Sequence, residues 1–267
     1  MNKESAKELI NNLKIRCSEI HLIMGGSKTP NSFTEANARK LEELKSKENR
    51  TEKEKEELRE LLKKKAFKPK YALSETAKSH VRSLVKQIVL GYVKDINTKE
   101  MEKGVACEND SIDIYNSVFF KSTSKNEESK SNEYITTLGC DINELDEGMV
   151  TDIKTPWSKE TFPLTDTEAA KACKKSGYNW QLNGYAWLYN KSKAQVAYCL
   201  VDTPDYLIEY EDNVTPHVMS DVPLHLRVTT TPVEVNEKNF QLIKSKVVEC
   251  RIFALEYLEE IYNKNKK

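Results

Sequence analysis

A chain of 267 residues, 31% charged and 38% hydrophobic, is large enough to bury one sizeable core with a small added subdomain. It carries no run of 18 apolar residues and no hydrophobic stretch behind Met1-Asn2-Lys3-Glu4-Ser5. That pattern excludes a membrane-spanning helix and a secretory leader, and predicts a cytoplasmic protein with no membrane partner.

The formal charge is zero but unevenly spread. Residues 1–100 hold 23 Lys/Arg against 15 Asp/Glu, and residues 101–267 hold 19 against 27. A basic first part beside an acidic second part suits a phosphate polymer guided to a carboxylate-bearing centre; solvated Lys/Glu helices give the same count. The cysteines Cys17, Cys107, Cys140, Cys173, Cys199 and Cys250 form no Cys-x-x-Cys pair, which argues against structural zinc or an iron–sulfur cluster and for free, partly buried thiols. His21, His80, His217 and His225 are too dispersed for a histidine-rich metal centre.

In chain order, Leu9, Leu13, Ile20 and Ile23 predict helix over 4–24, ended by Gly25-Gly26. Within it Ser18 reads as the cap of a second helix and Arg16 as a surface cation. Residues 33–67, dominated by Glu, Lys and Leu, predict a charged hairpin of two helices broken near 45–50, with Thr51-x-x-Glu54 as a capping box. A basic run over 63–70 is broken by Pro69. Leu73-Ser74 opens a helix with an apolar face of Ala77, Val81, Leu84, Val85, Ile88 and Val89, ending near Gly91. Lys78, Arg82 and Lys86 line another face, either as solvated charges or as contacts to a nucleic-acid backbone. One helix is predicted from Asn97 or Thr98 to Phe119, with Met101, Val105, Ile112 and Tyr115 inward and Glu108 along that stripe, where a carboxylate needs a partner.

Residues 121–133 read as a polar loop, and Tyr134–Asp141 and Met149–Thr155 as the arms of a β-hairpin turning at Gly148. Alternation sets Asp152 and Lys154 on one face and Ile153 on the packed face, and folding back brings Asp141 beside Asp152. Two carboxylates and an ammonium at the end of a small sheet suit a divalent cation and a phosphate. A loop over 157–166 leads to a helix through Ala169 and Cys173, then to one from Ser176-Gly177 that holds Gln181 and Tyr185 one turn apart. Gln195–Val201 completes a strand–helix–strand crossover. Strands are expected near 207–210 and 224–230, and a closing helix over 237–262 that covers the sheet.

Glu108, Asp141, Asp152-x-Lys154 and the helix with Gln181 and Tyr185 together resemble the PD-(D/E)XK nuclease superfamily. Within it they are similar to the YqaJ-type viral recombinases, the family of phage lambda exonuclease. Ile15-Arg16-Cys17-Ser18, the Leu73-Ser74-Glu75-Thr76-Ala77-Lys78 helix start and Glu102-Lys103-Gly104-Val105-Ala106-Cys107-Glu108-Asn109-Asp110 extend the likeness over roughly 14–200. Gly139-Cys140-Asp141 stands where many relatives have a proline before the aspartate.

The resemblance implies an α/β fold, a restriction-endonuclease-like core with a central mixed sheet flanked by helices. It implies a single nuclease domain over 1–267 with the 33–67 hairpin inserted. It implies one or two Mg²⁺ ions, with Mn²⁺ able to substitute, held by Glu108, Asp141, Asp152 and the Ile153 carbonyl. Lys154 then orients or activates water, Gln181 completes the catalytic set, and Arg16 and Ser18 meet the 5′-terminal phosphate. Lys78, Arg82 and Tyr185 are the other expected DNA contacts. The implied activity is 5′-to-3′ digestion of double-stranded DNA ends in phage-type recombination, with a single-strand annealing protein as partner, either a monomer or a homo-oligomer such as a ring-like trimer, and a bacterial host cytoplasm as the setting. The alternatives are an endonuclease or helicase-associated nuclease of the same superfamily, which would cut closed circles, and a non-catalytic DNA-binding or phage structural protein, which would cut nothing.

Overall fold

The computed structural model describes residues 1–25, 35–47, 49–66, 73–95, 97–137, 140–144 and 148–264, with backbone alone at 35, 66 and 140–144. The chain opens with α1 (Lys3–Asn11), capped by the Asn2 side chain. The single helix expected over 4–24 is broken. Ile15–Arg16 is a short strand, β1, followed by a 3₁₀ turn over Cys17–Glu19 and α2 (Ile20–Met24). β1 exists because Ile15 and Arg16 pair with Ile135 and Thr136, a long-range contact no local periodicity records. Ser18 lies inside the 3₁₀ turn and caps nothing.

Helices α3 (Glu35–Ser46) and α4 (Glu52–Ala66) form the expected pair, closed by their own small core of Leu41, Leu44, Leu58 and Leu61. The Thr51 box is present: Glu54 accepts from the Thr51 backbone, and the Thr51 hydroxyl accepts from the Glu54 backbone. The basic run over 63–70 falls partly outside the described residues. Helix α5 (Glu75–Leu90) runs from a Ser74 cap to a left-handed Gly91, burying Ala77, Val81 and Val85.

The long helix expected from Asn97 to Phe119 is two helices, α6 (Lys99–Ala106) and α7 (Glu108–Phe119), with the break at Cys107. The break turns α6 over. Met101 and Val105 are 52% and 77% exposed, whereas Lys103 is fully buried. Lys103 Nζ donates to the carbonyls of Pro156, Trp157 and Val201 at 2.9, 2.9 and 3.1 Å. A buried ammonium is tolerable when such acceptors replace its water. Desolvation nonetheless pushes its pKa down to about 8. Replacing it in Lys103→Met orphans three carbonyls, and at about 1 kcal/mol each we expect a loss of roughly 3 kcal/mol in denaturant unfolding. Because the folded-state pKa lies below the ordinary 10.5, the charged group weighs against folding below pH 8. That penalty is relieved between about 8 and 10.5, so the wild-type advantage over Lys103→Met should widen as pH rises through that window.

The polar stretch 121–133 contains two brief strands, β2 (Lys125–Asn126) and β3 (Lys130–Ser131). The expected strand over 134–141 is split between β4 (Ile135–Thr137) and β5 (Cys140–Glu144), which enter different sheets. Then come β6 (Met149–Lys154), α8 (Asp166–Ser176), α9 (Tyr178–Tyr189) and β7 (Lys193–Cys199). A short helix, α10 (Asp205–Ile208), stands where a strand was expected near 207–210, whereas the strand expected near 224–230 is present but begins later, as β8 (Val228–Val233), after 3₁₀ turns at Thr215–His217 and Leu224–Leu226. Proline at 204, 216 and 223 lies at or just before each of these turns and favours a tight turn over a ladder.

The larger sheet has the order β2-β5-β6-β7-β8, with β6 and β7 parallel and the other pairs antiparallel. The smaller has the order β1-β4-β3. The β6-α8-α9-β7 crossover is as expected, and helices flank the mixed sheet: the fold is α/β. The closing helix α11 (Glu237–Asn263) packs on α1, α2, α5 and α9, not directly over the sheet as expected. Cys17, Cys107, Cys173, Cys199 and Cys250 are buried, and none of them is in a disulfide. No helix among the described residues is long and apolar enough to cross a membrane.

Candidate active site

Alternation along β6 sorts its residues between two packing layers. Ile153 joins Ile112 and Tyr115 of α7 and Ala197 and Cys199 of β7 in one apolar cluster. Asp152 and Lys154 take the other face, in register with Val196 and Tyr198 of β7, which pack into the core with α8 and α9. Asp152 is fully buried. Its Oδ2 lies 2.8 Å from Lys154 Nζ, an ion pair by distance, but neither carboxylate oxygen accepts a hydrogen bond from a described residue. The Lys154 ammonium also stands 4.6 Å from the centre of the Tyr178 ring.

Opposite β6 runs β5, pairing Ile142 with Thr151, Asn143 with Val150 and Glu144 with Met149. One further step of this register sets backbone position 141 across from Asp152. The Asp141 side chain lies outside the described ones, as do residues 145–147 of the hairpin turn. Gly148 takes the left-handed conformation expected of it, with φ +65°.

Beside the end of β6 opens a cavity of about 830 Å³. Ile153 and Lys154 contribute to its wall, with Glu108 from the first turn of α7, Arg16 from the end of β1 and Ser18 from the 3₁₀ turn behind it. The exposed Met101 and Val105 of α6 form part of its rim, and Lys125, Tyr178 and Tyr198 are among its other polar lining residues. Glu108 escapes the apolar stripe because α7 begins with it. It pairs with Lys125 Nζ at 2.5 Å, and an acid in a first helical turn is favoured by the backbone amides. Ser111 and Thr155 share a 2.9 Å hydrogen bond that ties α7 to the strand exit. Arg16 and Ser18 reach the cavity because α9 packs tightly on their turn: a Cβ at Gly184 would stand 2.6 Å from Ile20 Cδ1 and 2.9 Å from Cys17 Sγ.

No family model matches the chain, and no curated protein matches it. Among solved structures, a phage related exonuclease from Haemophilus somnus 129PT superposes with a TM-score of 0.74 at 26% identity, over 94% of this chain and 97% of that one. The chain is a distant structural relative of the phage and alkaline exonucleases of the PD-(D/E)XK-like nuclease superfamily. An alkaline exonuclease (LHK-Exo) from Laribacter hongkongensis shares the fold, with a TM-score of 0.53 at 12% identity over 98% of this chain and 97% of that one.

In this exonuclease relative the expected site residues divide into two groups. Arg16, Ser18, Glu108, Ile153 and Lys154 meet at one cavity, with Asp152 behind its wall. Gln181 and Tyr185 do not line it; Gln181 Nε2 donates to the Tyr185 hydroxyl at 2.8 Å within the packing of α9. Lys78 pairs with Glu75 at 2.7 Å, and Arg82 lies 5.3 Å from the centre of the Phe253 ring of α11, both away from the cavity. Among the described residues no group of three or more His, Cys, Asp or Glu is gathered to hold a metal ion.

Three residues of the neighbourhood escaped sequence reasoning. Lys125 sits in a strand of two residues, which gives no periodicity to read. Tyr178 and Tyr198 belong to no motif in the sequence, and only the β6–β7 register and the Gly177 turn bring them beside Lys154. Burial raises the Tyr198 pKa further above the ordinary tyrosine range, with the nearby Cys173 and Tyr178 adding to it.

Proposed function

We propose that the protein is a metal-dependent deoxyribonuclease of the YqaJ type, a 5′-to-3′ exonuclease on double-stranded DNA ends acting in phage-type recombination. The observation that carries this reading is Asp152. A fully buried carboxylate whose oxygens accept no hydrogen bond from a described residue, beside a lysine at a cavity wall, has lone pairs to offer a cation.

The donor set suits a hard divalent ion such as Mg²⁺, with Mn²⁺ as substitute: carboxylates at Asp152 and Glu108, the Ile153 carbonyl, and Asp141 from the facing strand would hold one or two ions. When bound, such ions lower the pKa of attacking water and offset phosphate charge. Lys154 holds a fixed positive charge where charge develops on the phosphate, which favours the transition state over the ground state. Arg16 offers a forked donor and Ser18 a hydroxyl to the 5′-terminal phosphate, which sets the scissile bond at a fixed distance from the chain end. Lys125, paired with Glu108 at 2.5 Å, is the counter-ion that an incoming cation would displace. Gln181 acts through Tyr185 to hold α9 against the site, and Lys78 and Arg82 remain backbone contacts for a longer duplex. The whole chain is one nuclease domain, with 33–67 inserted. A single-strand annealing protein, a homo-oligomer and a bacterial host cytoplasm complete the setting.

The test is a time course on end-labelled linear duplex and closed circular DNA, with Mg²⁺ and with chelator. Loss of the 5′ label as short products in Mg²⁺, with the circle intact, is expected. A cut circle makes the protein an endonuclease, and no Mg²⁺-dependent product from either substrate overturns the hydrolase reading.

A further inference from the structure

The orphaned oxygens of Asp152 have a companion. Tyr198 follows the parallel register of β7, which sets it opposite Lys154, so both side chains leave the sheet on the same face and both line the cavity. Tyr198 is 5% exposed, and its hydroxyl has no hydrogen-bond partner among the described residues. Buried tyrosine hydroxyls nearly always find one.

The groups around it narrow what is missing. Lys154 brings only donors, and the buried Cys173 thiol is a poor acceptor. Asp152 is the carboxylate near it among the described residues, and it makes no hydrogen bond with the tyrosine. The tyrosine hydroxyl therefore needs an acceptor in the cavity, beside an ammonium that keeps 22% of its side chain exposed. Water could serve the hydroxyl, but it brings no negative charge to the ammonium. An anionic oxygen entering the cavity meets the hydroxyl and the ammonium together, and a phosphodiester is such a guest.

We propose that Tyr198 is a further catalytic residue, its hydroxyl donating a hydrogen bond to a non-bridging oxygen of the scissile phosphodiester next to Lys154. This rests on the nuclease reading above. Lysine supplies charge without direction, whereas a hydroxyl fixed on a strand supplies direction without charge. The pair therefore orients the phosphate as well as neutralising it. A neutral donor held in place before the substrate arrives costs no reorganisation during the reaction.

The experiment is Tyr198→Phe in the full chain, read by kcat and KM on end-labelled duplex in Mg²⁺ and by thermal midpoint in chelator. The ring is kept and only the orphan oxygen goes. We expect kcat to fall about 100-fold, as for loss of one donor to a developing oxyanion, with KM within about threefold. The midpoint should be unchanged or higher, since an unsatisfied polar atom has been removed from a buried site. Wild-type kcat in the variant overturns the proposal and leaves the nuclease reading standing. A lowered midpoint overturns it too, because it marks the hydroxyl as structural. Failure of the wild-type protein to cleave any duplex in Mg²⁺ or Mn²⁺ is a separate result, which removes the nuclease reading and this role with it.

Discussion

Asp152→Asn should lower the cleavage rate by at least about 10³-fold and leave the metal-free protein as stable as before, or more so. The two halves of this expectation share one cause. In the folded chain the carboxylate is fully buried, touches Lys154 Nζ at 2.8 Å and accepts no hydrogen bond from a described residue, so folding strips its water and returns little. An amide of the same shape carries no charge to desolvate. Lys154 keeps 22% of its side chain exposed and the Tyr178 ring beside it, so loss of its ion-pair partner does not strand a dry cation. The measurements are single-turnover cleavage and thermal midpoint, each in Mg²⁺ and in chelator. Wild type should gain midpoint on adding Mg²⁺, by mass action on the folded state, and the variant should not. A variant that still cleaves, or that gains as much midpoint in Mg²⁺ as wild type, would remove Asp152 from the metal site.

The parts of this site that could be read from the chain are those set by local rules. The period of two along Val150–Lys154 separates Asp152 and Lys154 from Ile153, and Gly148 marks the turn that lays β5 beside β6. The Ser74 and Thr51 caps and the left-handed Gly91 follow from side chains that bind their own backbone or from a missing Cβ. What was not legible depends on partners far along the chain. Ile15 and Arg16 are strand only because residues 135 and 136 lie beside them. Met101 and Val105 were expected to face inward, yet three carbonyls from two distant segments draw the Lys103 ammonium in and turn the apolar pair toward the cavity. A hydropathy pattern scores a lysine as exposed because it cannot see acceptors that have yet to be assembled. Gln181 illustrates the converse. Its place one turn before Tyr185 was correctly anticipated, but the two side chains satisfy each other and stay out of the cavity lining.

Gly177→Ala should cost about 3 kcal/mol and lower the thermal midpoint by roughly 6–12 °C, the larger stability effect for the smallest change. Gly177 joins α8 to α9 at φ +74°, a conformation in which a Cβ costs about 1–2 kcal/mol on backbone grounds alone. The space is also taken: an added Cβ would overlap His21 Cβ on α2 and stand 2.7 Å from His21 Cγ. Because the clash is with Cβ, no rotamer change at His21 relieves it, and the α2–α9 packing has to open. Gly91 is the control. It has nearly the same φ, +69°, but nothing lies within 4 Å of the point a Cβ would occupy there, so Gly91→Ala should cost only the backbone part, about 1 kcal/mol. The difference between the two variants isolates the interhelical contact. It carries a functional consequence as well, since Tyr178 follows Gly177 directly and its ring lies against Lys154. At a temperature where Gly177→Ala is still folded, its kcat should fall while that of Gly91→Ala does not. Equal stability losses in the two variants would show that α2 and α9 do not approach as closely as the Gly177 turn implies.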